Sequence, residues 1–101
     1  MNIEQLAREA LARSLCLRVQ FEGMLCTVEV HALGTTERGE LAIRVWQTSQ
    51  TDDTFEAIGS GWKLLSFSQI ESCELINKRS LAPRLGYRRT DPDLPTVVAC
   101  Y

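Results

Sequence analysis

Only one histidine, His31, occurs in the chain, and its four cysteines, Cys16, Cys26, Cys73 and Cys100, include no C-x-x-C pair. The ligand spacing of a structural zinc site is therefore missing, and no metal or other cofactor is expected. Catalysis has as little to stand on. His31 has no nucleophile at a recognisable spacing. The adjacent acids Asp52 and Asp53 lie in a polar stretch, where carboxylates are usually solvated. The glycines of GTTERGE lack the lysine and the strand-to-helix setting of a phosphate-binding loop. No catalytic residue is assigned, and an enzyme is not expected. No apolar run reaches the length of a membrane span, and the opening MNIEQLAREA is charged and amphipathic, unlike a signal peptide. These absences point to a cytoplasmic protein with reduced thiols and no membrane partner.

What is present fits one domain spanning residues 1–101, with 45% hydrophobic and 24% charged residues. A chain of this length buries only about two thirds of its unfolded surface, so a partner subunit would help it. The net charge of −2 excludes a uniformly basic nucleic-acid binder, but the charge is unevenly spread. Residues 1–77 hold six basic and eleven acidic residues, whereas 78–89 hold five basic and none acidic. An acidic body with a cationic strap favours a local anionic partner, unless the arginines pair with the chain's own acids.

Periodicity separates one helix from several strands. Residues 3–14 place Ile3, Leu6, Ala7, Ala10 and Leu11 on a helical stripe. Asn2 and Gln5 form a capping-box pattern, and Glu4→Arg8 and Glu9→Arg13 have the favourable order. From Leu15 the period becomes two. Leu15–Phe21, a Glu22-Gly23 turn, a second strand through Cys26, Val28 and Val30, and a third over Glu40–Gln47 follow. Leu33–Gly39 reads as a polar loop and Ser49–Ser60 as a second one. Gly61–Phe67 and Glu71–Asn77 read as strands with a tight turn at Ser66–Gln69. Leu81–Pro95, with three prolines and Gly86, reads as irregular, and Val97–Tyr101 as a closing edge strand. Cys26 and Cys73 fall at inward strand positions and read as core fillers. The pattern predicts an antiparallel barrel or sandwich with the helix over one opening.

Several side chains stand out as binding candidates, each with a structural alternative. His31 points outward from Val28 and Val30, free to donate to a phosphate or base, or else to bond a nearby backbone carbonyl. Arg44 and Trp46 share a strand face with Gln47 beside them, suited to stacking on a base or clamping a phosphate. The alternative is a covering tryptophan, with Arg44 paired to Glu29 or Glu40. Lys63 is a better contact candidate than Trp62, because tryptophan is more often core. Arg84, Tyr87, Arg88 and Arg89 interleave cations with an aromatic, as nucleic-acid-gripping segments do. They could equally be held to Asp52-Asp53, Asp91 or Asp93, or make a subunit contact.

The runs VEVHALGTTERGELAIRVWQ, GWKLLSFSQIESCELI and LAPRLGYRRTD resemble the WYL domain in its compact Sm-like form. The resemblance covers roughly residues 15–92 and rests on His31, Leu33, Gly39, the strand Leu41–Gln47, Gly61-Trp62-Lys63, Ile70, Arg84, Gly86, Tyr87 and Asp91. The triplet that names the family is absent, with Val45-Trp46-Gln47 nearest its place. Only a single helix fits residues 1–14, where regulators of this family usually carry a helix-turn-helix. The resemblance implies a mainly β fold, a small five- to six-stranded antiparallel Sm/SH3-like barrel with one N-terminal α-helix. Residues 15–77 would form its barrel core, and 78–101 a basic tail and closing strand. It also implies a bacterial regulatory or ligand-sensing module, often tied to phage defence, that binds a nucleic acid or nucleotide. The expected function is that of a non-enzymatic regulatory module binding a nucleic acid, a nucleotide or another anionic ligand through its basic and aromatic face. The alternative is a protein-interaction or homo-oligomerisation module, with a regulatory protein or a second copy as partner.

Overall fold

The computed structural model describes residues 2–48, 50–51, 57–58 and 61–101. Helix α1, Ile3–Arg13, starts where expected: Asn2 Oδ1 accepts the Gln5 N–H at 3.0 Å. Only half of the capping box forms, because the Gln5 side chain donates to Glu9 one turn on, at 3.3 Å. Glu4 pairs with Arg8 at 3.2 Å, while Glu9, engaged by Gln5, makes no ion pair with Arg13 among the described residues. Ala7 and Ala10 are buried, so two small residues bring the helix close to the strands beneath.

Eight strands follow among the described residues: β1 Leu15–Phe21, β2 Met24–Thr35, β3 Leu41–Gln47, β4 Gln50–Thr51, β5 Ala57–Ile58, β6 Gly61–Ser66, β7 Ile70–Arg79 and β8 Thr96–Cys100. The protein is mainly β, with one open sheet of six antiparallel strands and one N-terminal α-helix among the described residues. Its order is β6-β3-β2-β1-β7, with β8 attached to β2; β4 and β5 form a separate two-stranded ladder. The expected closed barrel is not what this pairing gives, since β6 and β7 pair with no further strand of the sheet among the described residues. They are joined by a 3-10 turn, Phe67–Gln69, with the Ser66 N–H donating to Gln69 Oε1 at 3.0 Å. The two-residue turn at Glu22 and Gly23, with φ of 51° and 74°, sets Phe21 opposite Met24.

The chief departure from the predicted elements is β2. The stretch beginning at Leu33 is not loop; the strand runs on to Thr35, and only residues 36–40 turn back, closed by the Thr36 N–H on the Glu40 carbonyl at 2.9 Å. The cause is a β-bulge between Val30 and Ala32 in the pairing with β3. It shifts the alternation by one, so Val28, Val30 and Leu33 enter the main core while Ala32 turns to the other face. Likewise β7 extends through Arg79, taking Lys78 and Arg79 out of the basic tail. The predicted Ser49–Ser60 loop contains the β4–β5 ladder; its remaining residues lie outside the described residues.

The core joins Val19, Val28, Val30, Leu33, Ile43, Val45 and Leu65 to the helix alanines. Cys26 is buried in it and Cys73 packs against it, as their inward positions predict. Burial pushes the Cys73 thiol up to about 11, the behaviour of an inert packed thiol.

Candidate functional site

The second face of the sheet carries the polar and aromatic residues, and residues 80–95 lie across it as a strap. Strand parity explains the gathering. Trp46 lies opposite Glu29 on β2 and opposite Trp62 on β6, so three large side chains form a row across three strands. The rings of Trp46 and Trp62 meet at 5.2 Å and 86°. Trp62 meets His31 at 4.7 Å and 73°, and His31 meets Tyr87 at 5.2 Å and Tyr101 at 6.1 Å. Edge-to-face geometry of this kind adds to area burial because ring edges are positive and faces negative.

Two polar locks hold the strap. Glu29 is 2% exposed, and its Oε1 accepts from Arg84 Nε at 2.6 Å. Its Oε2 accepts from the Leu81 N–H at 2.8 Å and from Arg84 Nη2 at 3.2 Å. Burial alone would raise this carboxyl, but the Arg84 and Leu81 hydrogen bonds outweigh it and hold the group below its ordinary range. The Arg84 guanidinium also lies 5.6 Å from the Trp46 ring centre, within cation–π reach. In the second lock, Arg44 donates to both oxygens of Asp91 at 2.6 and 3.1 Å and to Asp93 at 2.6 Å. The Arg44 hydrogen bonds keep the Asp91 carboxyl low.

His31 does not project into solvent; it is completely buried. The Arg84 backbone N–H donates to its Nε2 at 2.9 Å, so Nε2 must be the bare nitrogen. Nδ1 therefore carries the proton and donates to the Glu29 carbonyl at 2.9 Å. Burial, with Arg84 adding to it, holds the ring below its ordinary pKa and neutral. The backbone-carbonyl alternative for His31 is the observed one, and the contact to phosphate or base is closed to it because the strap covers the ring.

The structure divides the other candidates. Arg44, Trp46, Arg84 and Tyr87 do come together on the strap face, but both arginines are neutralised internally. Gln47 does not join them: it is fully buried on the core face beyond Val45, and its amide has no hydrogen-bond partner among the described residues. Lys63 also points away, since it lies opposite core residue Val45, and its ammonium sits 5.9 Å from the Phe21 ring centre. Trp62 takes the place expected of Lys63, because the tryptophan that parity sets beside Trp46 is needed to cover His31. Arg89 donates to the Tyr101 main-chain oxygen at 2.8 Å. Arg88 is exposed and has no carboxylate partner among the described residues.

Sequence reasoning offers Glu29 or Glu40 as a partner for Arg44, whereas Glu29 holds Arg84, and it misses Tyr101 as part of this face. It sets Asp91 and Asp93 against the tail arginines; they clamp Arg44 instead.

Beside the second lock opens a cleft of about 230 Å³, walled by Trp62, Tyr87, Arg88, Asp91 and Asp93. Trp62 and Tyr87 incline at 31° with centres 6.4 Å apart. Gly86 allows this: at φ 94° it turns the strap, and a Cβ there would already touch Trp62 Nε1 at 3.5 Å. Burial and the neighbouring Cys100 push the Tyr87 hydroxyl up to about 12, so it stays protonated. Among the described residues no three His, Cys, Asp or Glu side chains gather closely enough to hold a metal ion, and no helix is long and apolar enough to cross a membrane.

Fold and cleft define a small β-sheet protein whose polar face is sealed by its own C-terminal strap. No protein-family model, curated protein or solved structure matches the chain.

Proposed function

We propose that this protein is a non-enzymatic, regulatory ligand-binding module and that its ligand is a nucleotide or a base of single-stranded nucleic acid seated in the Trp62–Tyr87 cleft. The observation that carries this reading is the company Arg88 keeps. It is an exposed cation without a carboxylate partner among the described residues, on the rim of a cleft with two aromatic walls. A base has a π-face for Trp62 or Tyr87, and its phosphate a cation at Arg88. The inventory of contacts is smaller than the tail composition suggests, because Arg44 and Arg84 are already spent on Asp91, Asp93 and Glu29. Binding is therefore weak, salt-sensitive and indifferent to extended sequence.

We extend the reading to architecture. The strand order β7-β1-β2-β3-β6, the short 3-10 link between β6 and β7, and the helix at the start support a partly open barrel of the Sm/SH3-like kind. They also support the likeness to compact WYL domains, whose implied ligand class is the same.

Fluorescence polarisation of labelled oligo-dT and oligo-U at low salt tests the reading. Saturable binding that falls with added salt, and that Arg88→Glu removes while the thermal midpoint stays put, is the expected result. Undetectable binding at low salt ends the proposal. A second reading, a protein-interaction surface, is favoured by Leu85, which is 99% exposed on the strap.

A further inference from the structure

Strand β8, like β6 and β7, has one partner strand among the described residues. Among the described residues it pairs only with β2, through Ala32–Thr35, so its other edge carries unpaired backbone groups. Exposed edges are normally blunted by charged side chains or proline within the strand. TVVAC has neither, although a register shift between Leu33 and Gly34 leaves Val98 as a bulge, and Val97 and Val98 are 37% and 42% exposed. The strand is nonetheless firmly placed. Gly34 lies against it so closely that a Cβ there would collide with the Thr96 carbonyl oxygen and stand 3.2 Å from the Val97 Cα. The Tyr101 N–H donates to the His31 carbonyl at 3.2 Å.

At Val97 the strand borders a second hollow, of about 590 Å³, lined also by Leu94, Arg88 and Arg89 and by Asp91, whose carboxylate is held by Arg44. Neither arginine has an aspartate or glutamate partner among the described residues, although the Arg89 Nε–H is already given to the Tyr101 main-chain oxygen at 2.8 Å. A backbone template, small apolar contacts and two cations thus share one surface.

From this juxtaposition we infer that β8 receives an extended acidic peptide of a partner protein as an added strand. Main-chain hydrogen bonds to β8 would supply register and affinity, alternate apolar side chains would rest on Val97 and Val98, and carboxylates would reach Arg88 and Arg89. The sign of the charge selects the occupant: a basic segment would be repelled, and a nucleic acid has no strand to offer the edge. The surface shares Arg88 with the nucleotide cleft, but strand addition at β8 does not depend on a nucleotide binding there.

The test uses the full chain, isotopically labelled, with a short peptide of alternating valine and glutamate as the probe. Its lysine counterpart and an oligo-dT are the comparison arms. The expected result is saturable binding of the acidic peptide. Shifts and slowed hydrogen exchange should be confined to the Val97–Cys100 amides and their strap neighbours, and Arg89→Glu should weaken affinity by about tenfold. Because Arg89→Glu could loosen the strap, the amide map of the wild-type chain is the deciding measurement. If the acidic peptide leaves the β8 amides unmoved, or the lysine peptide binds equally well, the inference is overturned. It is overturned too if oligo-dT moves the β8 amides as strongly as the peptide. Oligo-dT shifts confined to Trp62 and Tyr87 would speak for the cleft alone and leave the strand-addition result to stand by itself.

Discussion

The two faces of β2 are held by different forces. On one side Val28, Val30 and Leu33 are buried among other hydrocarbon side chains. On the other Glu29, His31 and Ala32 are just as buried, but under a strap fastened by charge-assisted hydrogen bonds and ring contacts. Hydrocarbon packing is non-directional and tolerates most solutions that fill the volume. The strap face is directional: each acceptor has a named donor, and losing one partner leaves a buried polar group stranded. Failure on the first face is expected to be global, and on the second to begin locally.

That contrast can be broken at three points. The largest loss is expected from Leu33→Ala, which empties a fully buried site and should cost about 3 kcal/mol. Urea unfolding should show one transition moved as a whole, with α1 and the strap unfolding together. Arg84→Ala comes next. It leaves the Glu29 carboxylate buried without its cation, and should cost roughly 2 kcal/mol, less than a wholly buried pair because Arg84 is 30% exposed. Its signature should be local: faster amide exchange and proteolysis across residues 80–95 before the sheet opens. If both variants lose strap and sheet in a single step, the two faces are one cooperative unit and the comparison is wrong.

The third point is pH. His31 has a folded pKa below its unfolded value of 6.5, so as pH falls past that value the unfolded chain takes up a proton that the folded chain refuses. Stability should therefore be full above about 6.5 and decline below it. The charged groups facing the ring are Glu29, through its carbonyl and carboxylate, and Arg84; Tyr87, Trp62 and Tyr101 complete its surroundings. Glu29 and Asp91 have lowered pKa values, so their contribution is present above the ordinary carboxylate range and is lost at still lower pH. Urea midpoints measured from pH 8 downward should show His31→Gln flattening the first decline and leaving the second. Leu33→Ala should lower the curve throughout without altering its shape.

Much of the scaffold is legible along the chain. The helix with its Asn2 cap, the Glu22-Gly23 turn, the β1 and β3 spans, the 3-10 turn at Phe67–Gln69 and the closing strand all follow from local patterns. A cap, a two-residue turn and a period of two are set by neighbours a few residues apart. The failures share a different cause. The general habits of tryptophan favour Lys63 over Trp62 as a contact, but cross-strand register puts Trp62 beside Trp46. Leu33 reads as loop because a bulge at His31 interrupts the alternation, and a bulge is a relation between two strands rather than a property of one. Gln47 is a neighbour of Trp46 in sequence, yet adjacent strand residues face opposite ways.

By itself, the amino-acid order determined the kind of elements, their approximate limits, and the concentration of cations after residue 77. Periodicity and composition act over distances the chain spans locally, so they can be read from it directly. Tertiary structure alone decided which charges cancel. Arg84 meets Glu29 and Arg44 meets Asp91 across separations of 55 and 47 residues. Coulomb attraction depends on distance in space, and only the folded sheet with its strap makes those distances short.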